Sequence, residues 1–180
     1  NPDDLPGVVV DNSSAELVGE WKDSTYAKSY VGAGYIHDER TGQGTKQVVF
    51  RAELPASGEY DVRLSYNHAD SRASSVPVTV TYPGGEDTVA LNQRKEPNVD
   101  GLFASVGQFQ FNNDQTAVVT VSNEGVDDGY VIVDAVQFVP IGKTAIAADD
   151  AAAPEEQTND AMALLDRISE IETELSGLDE

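Results

Sequence analysis

The sequence predicts an all-β fold, a two-sheet jelly-roll sandwich over residues 1–142, followed by an acidic linker and a short helix over 143–180. Three observations carry that prediction. Between Gly7 and Val139 the apolar residues alternate or gather in short β-branched runs, parted by Gly, Pro, Asn and Asp, which is how strands and turns are written. Nothing in that region keeps a 3.6-residue apolar period long enough for a helix. At Gly142 the composition changes: aromatics stop, Ala, Asp and Glu take over, and the net charge is −12 over residues 1–142 and −9 over 143–180.

Nine strands are expected, in order Val8–Asp11, Glu16–Trp21, Lys46–Glu53, Glu59–Tyr66, Val76–Tyr82, Thr88–Asn92, Leu102–Phe111, Ala117–Ser122 and Val131–Val139. The clearest sets Tyr60, Val62, Leu64 and Tyr66 on one face against Asp61, Arg63 and Ser65 on the other. Val76, Val78, Val80 and Tyr82 repeat the alternation, and Pro77 points to an edge strand because it lacks an N–H for the ladder. Pro83-Gly84-Gly85 marks a tight turn, so Val76–Asn92 reads as a hairpin. Many short strands with frequent turn residues favour a two-sheet sandwich of jelly-roll type.

The last 38 residues differ in kind. Ala145–Gln157 is too poor in apolar side chains to order itself and reads as a linker. Asn159 or Asp160 then caps a stretch in which Ala161, Leu164, Ile168, Ile171, Leu175 and Leu178 recur at alternating steps of three and four. That heptad seam over 161–178 is too short to be stable alone. It either docks on another part of a parent protein or associates with its own copy.

Composition closes off several functions. The chain has 180 residues, 32 acidic against 11 basic side chains, a net charge of −21 and no cysteine. Nucleic-acid binding needs clustered Lys and Arg, and anionic lipid would be repelled. Without cysteine there is no disulfide scaffold, thiolate zinc site or cysteine nucleophile. No apolar run approaches a membrane span. The sequence begins at Asn1 with no Met and no leader pattern, and is expected to be a piece of a longer protein.

Motifs for chemistry are sparse. There is no phosphate-binding loop, dinucleotide glycine pattern or nucleophile elbow. His37 and His68 are the only histidines, and an inventory of Ser, His and Asp is not a triad, which is defined by geometry. Paired carboxylates of a glycosidase cannot be picked out from 32 acidic residues, so no enzyme activity is expected. No cofactor is expected and no metal ligand is assigned; a structural calcium would fall to Asn112-Asn113-Asp114 or Asp127-Asp128, although such residues also build turns unaided.

Two clusters stand out. Asp134 sits among large apolar side chains in the last strand, where an unpaired carboxylate costs several kcal/mol. It needs a partner, with Arg72 or His37 as candidates and backbone amides as the third. Its role is either a ligand-binding acid or a tie between a loop and the sandwich, and the tie is favoured. The other cluster is Trp21, Tyr26, Tyr30 and Tyr35, in a glycine-containing excursion that also holds Asp38, Glu39 and Arg40. Aromatics beside such polar groups form a platform for sugar rings, or they pack the excursion against the sandwich.

Several stretches in order look like one known domain: Tyr35-Ile36-His37-Asp38, Thr41-Gly42-Gln43-Gly44, Leu54-Pro55-Ala56-Ser57-Gly58-Glu59-Tyr60, Asn67, Arg72-Ala73-Ser74-Ser75-Val76-Pro77-Val78, Asn92-Gln93 and Glu124 through Val136. Together they resemble the C-terminal domain of golvesin and of bacterial xanthan lyases over roughly 7–140. Here Val126-Asp127-Asp128-Gly129 is one residue longer than the usual Thr-Asp-Gly turn. The resemblance implies a galactose-binding-like β-sandwich attached to secreted bacterial enzymes such as polysaccharide lyases, hence an extracellular or periplasmic location.

The expectation is therefore a non-catalytic accessory module that binds polysaccharide, with Trp21, Tyr26, Tyr30, Tyr35, Asp38 and Arg40 as ligand-binding residues. His37, Arg72, Asn92 and Asp134 form a structural lock. Partners are a polysaccharide or other domains of the parent protein. The alternative is a structural spacer or protein–protein interaction module that binds no sugar.

Overall fold

The computed structural model describes residues 1–142; the expected linker 145–157 and heptad helix 161–178 lie outside the described residues. Single 3-10 turns at Pro2–Asp4 and Asn12–Ser14 flank β1 (Val8–Asp11). The later strands are β2 (Glu16–Val18), β3 (Lys22–Ser24), β4 (Tyr35–His37), β5 (Gln47–Ala52), β6 (Gly58–Ser65), β7 (Val76–Tyr82), β8 (Gly85–Leu91), β9 (Phe103–Phe111), β10 (Ala117–Ser122), β11 (Ile132–Val133) and β12 (Ala135–Pro140). They form antiparallel sheets ordered β1-β12-β6-β9, β2-β5-β10-β7-β8 and, smaller, β11-β4-β3. Over the described residues the fold is an all-β sandwich with almost no helix. Among the described residues no helix is long and apolar enough to cross a membrane.

The two larger sheets close on one apolar cluster. One contributes Val48, Phe50, Val76, Val78, Val80, Val119 and Val121, the other Tyr60, Val62, Leu64, Phe111, Val136 and Phe138, all buried. Tyr60 and Phe138 both meet the Phe111 ring edge-on, at 6.0 and 5.7 Å between centroids. Each fully buried Val, Leu or Phe adds about 1.5–3 kcal/mol. A one-residue slip would turn a whole face outward, so the alternation read from sequence also fixes the register.

The β7–β8 hairpin turns through Pro83-Gly84, with Tyr82 opposite Gly85. Pro77 does not mark an edge, because β7 lies between β10 and β8. Its pairing with β10 runs only from Val78 to Thr81, so that ladder loses nothing to the missing N–H. The strand expected over Glu16–Trp21 stops at Val18, where Gly19 takes a φ of +78°. The excursion beyond it is not structureless: β3 and β4 pair within it, and β4 pairs on with β11.

The last expected strand is broken at Asp134. Its first part joins the small sheet and its second runs between β1 and β6. Both faces of β12 are covered, which is why Gln137 is buried along with Val136 and Phe138. A second apolar cluster, Val31, Phe103 and Ala135 with Leu5, Val9, Val99 and Leu102 against it, is distinct from the main one. The first and last strands are neighbours, with Val8 opposite Phe138.

Candidate functional site

At the break between β11 and β12, the Asp134 N–H donates to the Ser65 carbonyl at 3.2 Å and its carbonyl accepts from the Asn12 N–H at 2.7 Å. Its fully buried carboxylate accepts, through Oδ2, from the Val31 N–H at 2.9 Å and the Ser65 hydroxyl at 2.5 Å. Oδ1 has no hydrogen-bond partner. Burial pushes this carboxyl up to about 7; the bonds from Ser65 and Val31 oppose the rise, and the charge of Asp11 adds to it.

Asp11 accepts from the N–H and hydroxyl of Ser13 through Oδ1, while its Oδ2 is likewise buried without a partner. Gly32 makes the close approach of the loop over Asp11 feasible, since a Cβ there would stand 2.6 Å from that oxygen. Neither Arg72 nor His37 bonds Asp134, correcting the first two candidates. The third, a backbone amide, is the one used, and it ties the 25–34 loop to the sandwich.

A second construction begins where β4 ends. Asp38–Thr41 is a tight turn, closed by the Thr41 N–H on the Asp38 carbonyl at 3.1 Å. Glu39 and Arg40 both hold a φ of +57°, a left-handed conformation that costs a residue with a side chain about 1–2 kcal/mol. Bonds from several elements hold it. Asp38 Oδ1 accepts from the N–H groups of Arg40 and Val131 at 3.1 and 3.0 Å. Buried Lys46 donates from Nζ to the Asp38 carbonyl at 2.7 Å and to the Thr41 hydroxyl at 3.0 Å. Asn123 donates to the carbonyls of Thr41 and Gly42, and Gln43 to that of Arg40.

This turn carries Arg40 across Tyr130, its guanidinium carbon 5.8 Å from the ring centroid. His37 meets the same ring edge-on, at 5.5 Å and 89°. Its Nδ1 accepts from the Glu39 N–H at 3.2 Å, so the neutral imidazole carries its proton on Nε2. Burial lowers the His37 pKa; Glu39 and Asp38 push it back up, while Arg72 and Lys22 reinforce the fall. Lys22 is the cross-strand partner of His37, and the Arg72 backbone bridges to Tyr130. The Arg72 guanidinium donates to the carbonyl and side-chain oxygens of Asn67. Gly129 permits the chains to touch here, because a Cβ would lie 2.2 Å from the Arg72 carbonyl carbon.

The other expected site residues divide. Tyr35 is 3% exposed, with its hydroxyl accepting from Ser24 Oγ and the Ala27 N–H, and Asp38 is 1% exposed. Both are buried and bonded within the fold. Tyr30 tilts against Tyr35 at 6.3 Å, and half-buried Trp21 donates its indole N–H to the Val18 carbonyl. Tyr26 is 92% exposed, but it lies at the end of the β3–β4 pair opposite Arg40. Asn92 accepts from Tyr66 through its carbonyl and from the Arg94 N–H through its side chain.

The two oxygen-rich loops bond to other segments of the sandwich. Asn113 pairs with Ser57, and Asp128 with Ser74 and Arg94. Among the described residues no group of three or more His, Cys, Asp or Glu converges to hold a metal. Sequence reasoning missed Ser65, Lys46, Gln93, Asn123 and Tyr130. Buried Gln93 clips Ile132 through both N–H and carbonyl, at 2.8 and 2.7 Å, and only its place in the Asn92-Gln93 motif marked it.

Residues 8–140 match the model of the golvesin C-terminal domain. The chain belongs to that family. This golvesin C-terminal domain is 37% identical over 144 residues to the xanthan lyase of Bacillus sp. (strain GL1), covering 77% of this chain and only 15% of that protein. The structure of a Paenibacillus xanthan lyase superposes with a TM-score of 0.69 at 35% identity, over 74% of this chain and 13% of that one. A family 35 carbohydrate binding module from Clostridium thermocellum shares the fold, with a TM-score of 0.54 at 16% identity, over 73% of this chain and 95% of that one.

Proposed function

We propose that this golvesin C-terminal domain is a non-catalytic carbohydrate-binding module of a larger secreted bacterial protein, holding its neighbours against a polysaccharide. The observation that carries the reading is the corner where a strained, heavily bonded turn sets Arg40 over Tyr130 beside the His37 Nε2–H. A saccharide offers its oxygens to fixed polar groups and its C–H groups to the apolar parts of the side chains beside them. Support comes from the xanthan lyase relatives and from the family 35 module, whose fold this domain covers almost whole. His37, the nearest candidate for a catalytic base, spends Nδ1 on a backbone amide. A jelly-roll, galactose-binding-like arrangement and an extracellular or periplasmic location belong to the same reading.

The test is affinity electrophoresis of the 180-residue chain through gels of xanthan, polygalacturonate, dextran and mannan. Retardation by at least one polymer, reduced in Arg40→Ala, is the expected result. No retardation across the panel would overturn the proposal and favour the second reading, a structural spacer or interaction module. That second reading has its own support. Asp38, Gln93, Asn123 and Asp134 are buried and bond the protein's own backbone, as scaffold residues do.

A further inference from the structure

We infer, resting on the carbohydrate-binding reading, that the saccharide met at the Tyr130 corner carries carboxylates. The net charge of −21 argues the other way only at long range. At physiological ionic strength charges act over about 8 Å, so a ligand senses the corner rather than the whole chain. Around Tyr130 stand Lys22, Arg40 and Arg72. Among the described residues the ion pairs engage the amino terminus, Arg51, Arg63 and Arg94; Lys22 and Arg40 have no carboxylate partner, and Arg72, also without one, donates to Asn67.

The acids nearby are mostly committed. Asp38 is buried on the amides of Arg40 and Val131, and Asp128 is bound by Arg94 and Ser74. Glu39, exposed on the same turn, acts on His37 together with Asp38. Ammonium and guanidinium groups and the His37 Nε2–H only donate, and a carboxylate only accepts. A carboxylate meets such donors with charge as well as lone pairs, which a neutral hydroxyl does not. Arg40, 5.8 Å over the Tyr130 ring, brings a planar fork to this corner, the geometry that recognises a carboxylate through two bonds. The strained turn is thereby explained as the device that carries the fork there.

The experiment compares polygalacturonate with dextran in affinity gels, with EDTA present, at low and raised NaCl. Polygalacturonate is expected to retard the chain and dextran not, with retardation falling as salt rises. Arg40→Ala and Lys22→Ala should each weaken binding about three- to fivefold, the scale of one exposed ion pair, without changing the melting temperature. Glu39→Gln should strengthen binding, and Arg51→Ala, paired with Glu16 elsewhere, should match the parent. Equal retardation by both polymers, or unchanged retardation in Arg40→Ala and Lys22→Ala, overturns the inference. So does retardation that appears only on adding calcium and ignores Arg40→Ala. Retardation by dextran alone sinks this inference and leaves the binding module standing; retardation by neither polymer, nor by any in the wider panel, sinks both.

Discussion

Replacing Asp134 by Asn should make the protein more stable at neutral pH and flatten its pH dependence. In the folded chain the Asp134 carboxyl titrates near about 7, raised chiefly by burial, against about 3.9 when unfolded. The folded state therefore binds this proton more tightly. Its stabilising effect is complete below the unfolded pKa, declines as pH rises from about 4 to 7, and is gone above that. A gap of about three pKa units corresponds to about 4 kcal/mol, of which about 2.5 kcal/mol falls between pH 5 and 8. Asparagine is nearly isosteric with the protonated acid, carries no charge to bury, and its carbonyl can accept from Val31 and Ser65.

Urea unfolding followed by the fluorescence of Trp21, the single tryptophan, measures this at pH 5 and 8. His37, whose folded pKa is lowered, acts with opposite sign: it loses stability as pH falls through its unfolded pKa. The difference between parent and Asp134→Asn cancels that contribution. A variant with the parent's slope from pH 5 to 8 would refute the reasoning.

Other consequences are open to measurement. Ser65→Ala removes the hydroxyl that favours ionised Asp134, and should cost about 1–2 kcal/mol at pH 8 and less at pH 5, read from the same unfolding curves. Tyr35→Phe should cost about 1 kcal/mol through the stranded donors of Ser24 and Ala27, while polysaccharide retardation stays as in the parent; lost retardation with an unchanged melting temperature would restore Tyr35 to the ligand. Gly129→Ala drives a Cβ into the Arg72 backbone and should lower stability by about 2 kcal/mol or more, visible as a drop of several degrees in calorimetry.

The sandwich was legible because its core strands alternate over long runs: β7 and β10 have the bounds their Val-rich patterns predicted. Tyr35-Ile36-His37 was not, since three residues carry no usable period and its partners come from distant parts of the chain. Asp134 was legible as a buried charge from its neighbours alone. Its partners were not, because Ser65 and the Val31 amide reach it through tertiary contact, and a backbone amide leaves no mark in sequence. Pro77 misled for a related reason. Proline reports a missing donor, not a missing neighbouring strand, and here the ladder ends just before it. Arg40 was named as a site residue, but Tyr130, the ring it covers, lies 90 positions away in a segment that reads as turn and strand.

The pairing of the first strand with the last has a mechanical meaning. With Val8 beside Phe138, the chain enters and leaves the sandwich side by side, about 5 Å apart across one ladder. Force drawn along the polypeptide therefore bears first on the β1–β12 pairing and on the β6 ladder beside it, rather than along the length of the sandwich. Set between other segments, a domain wired this way would add bulk and surface at one point and little reach from one side to the other.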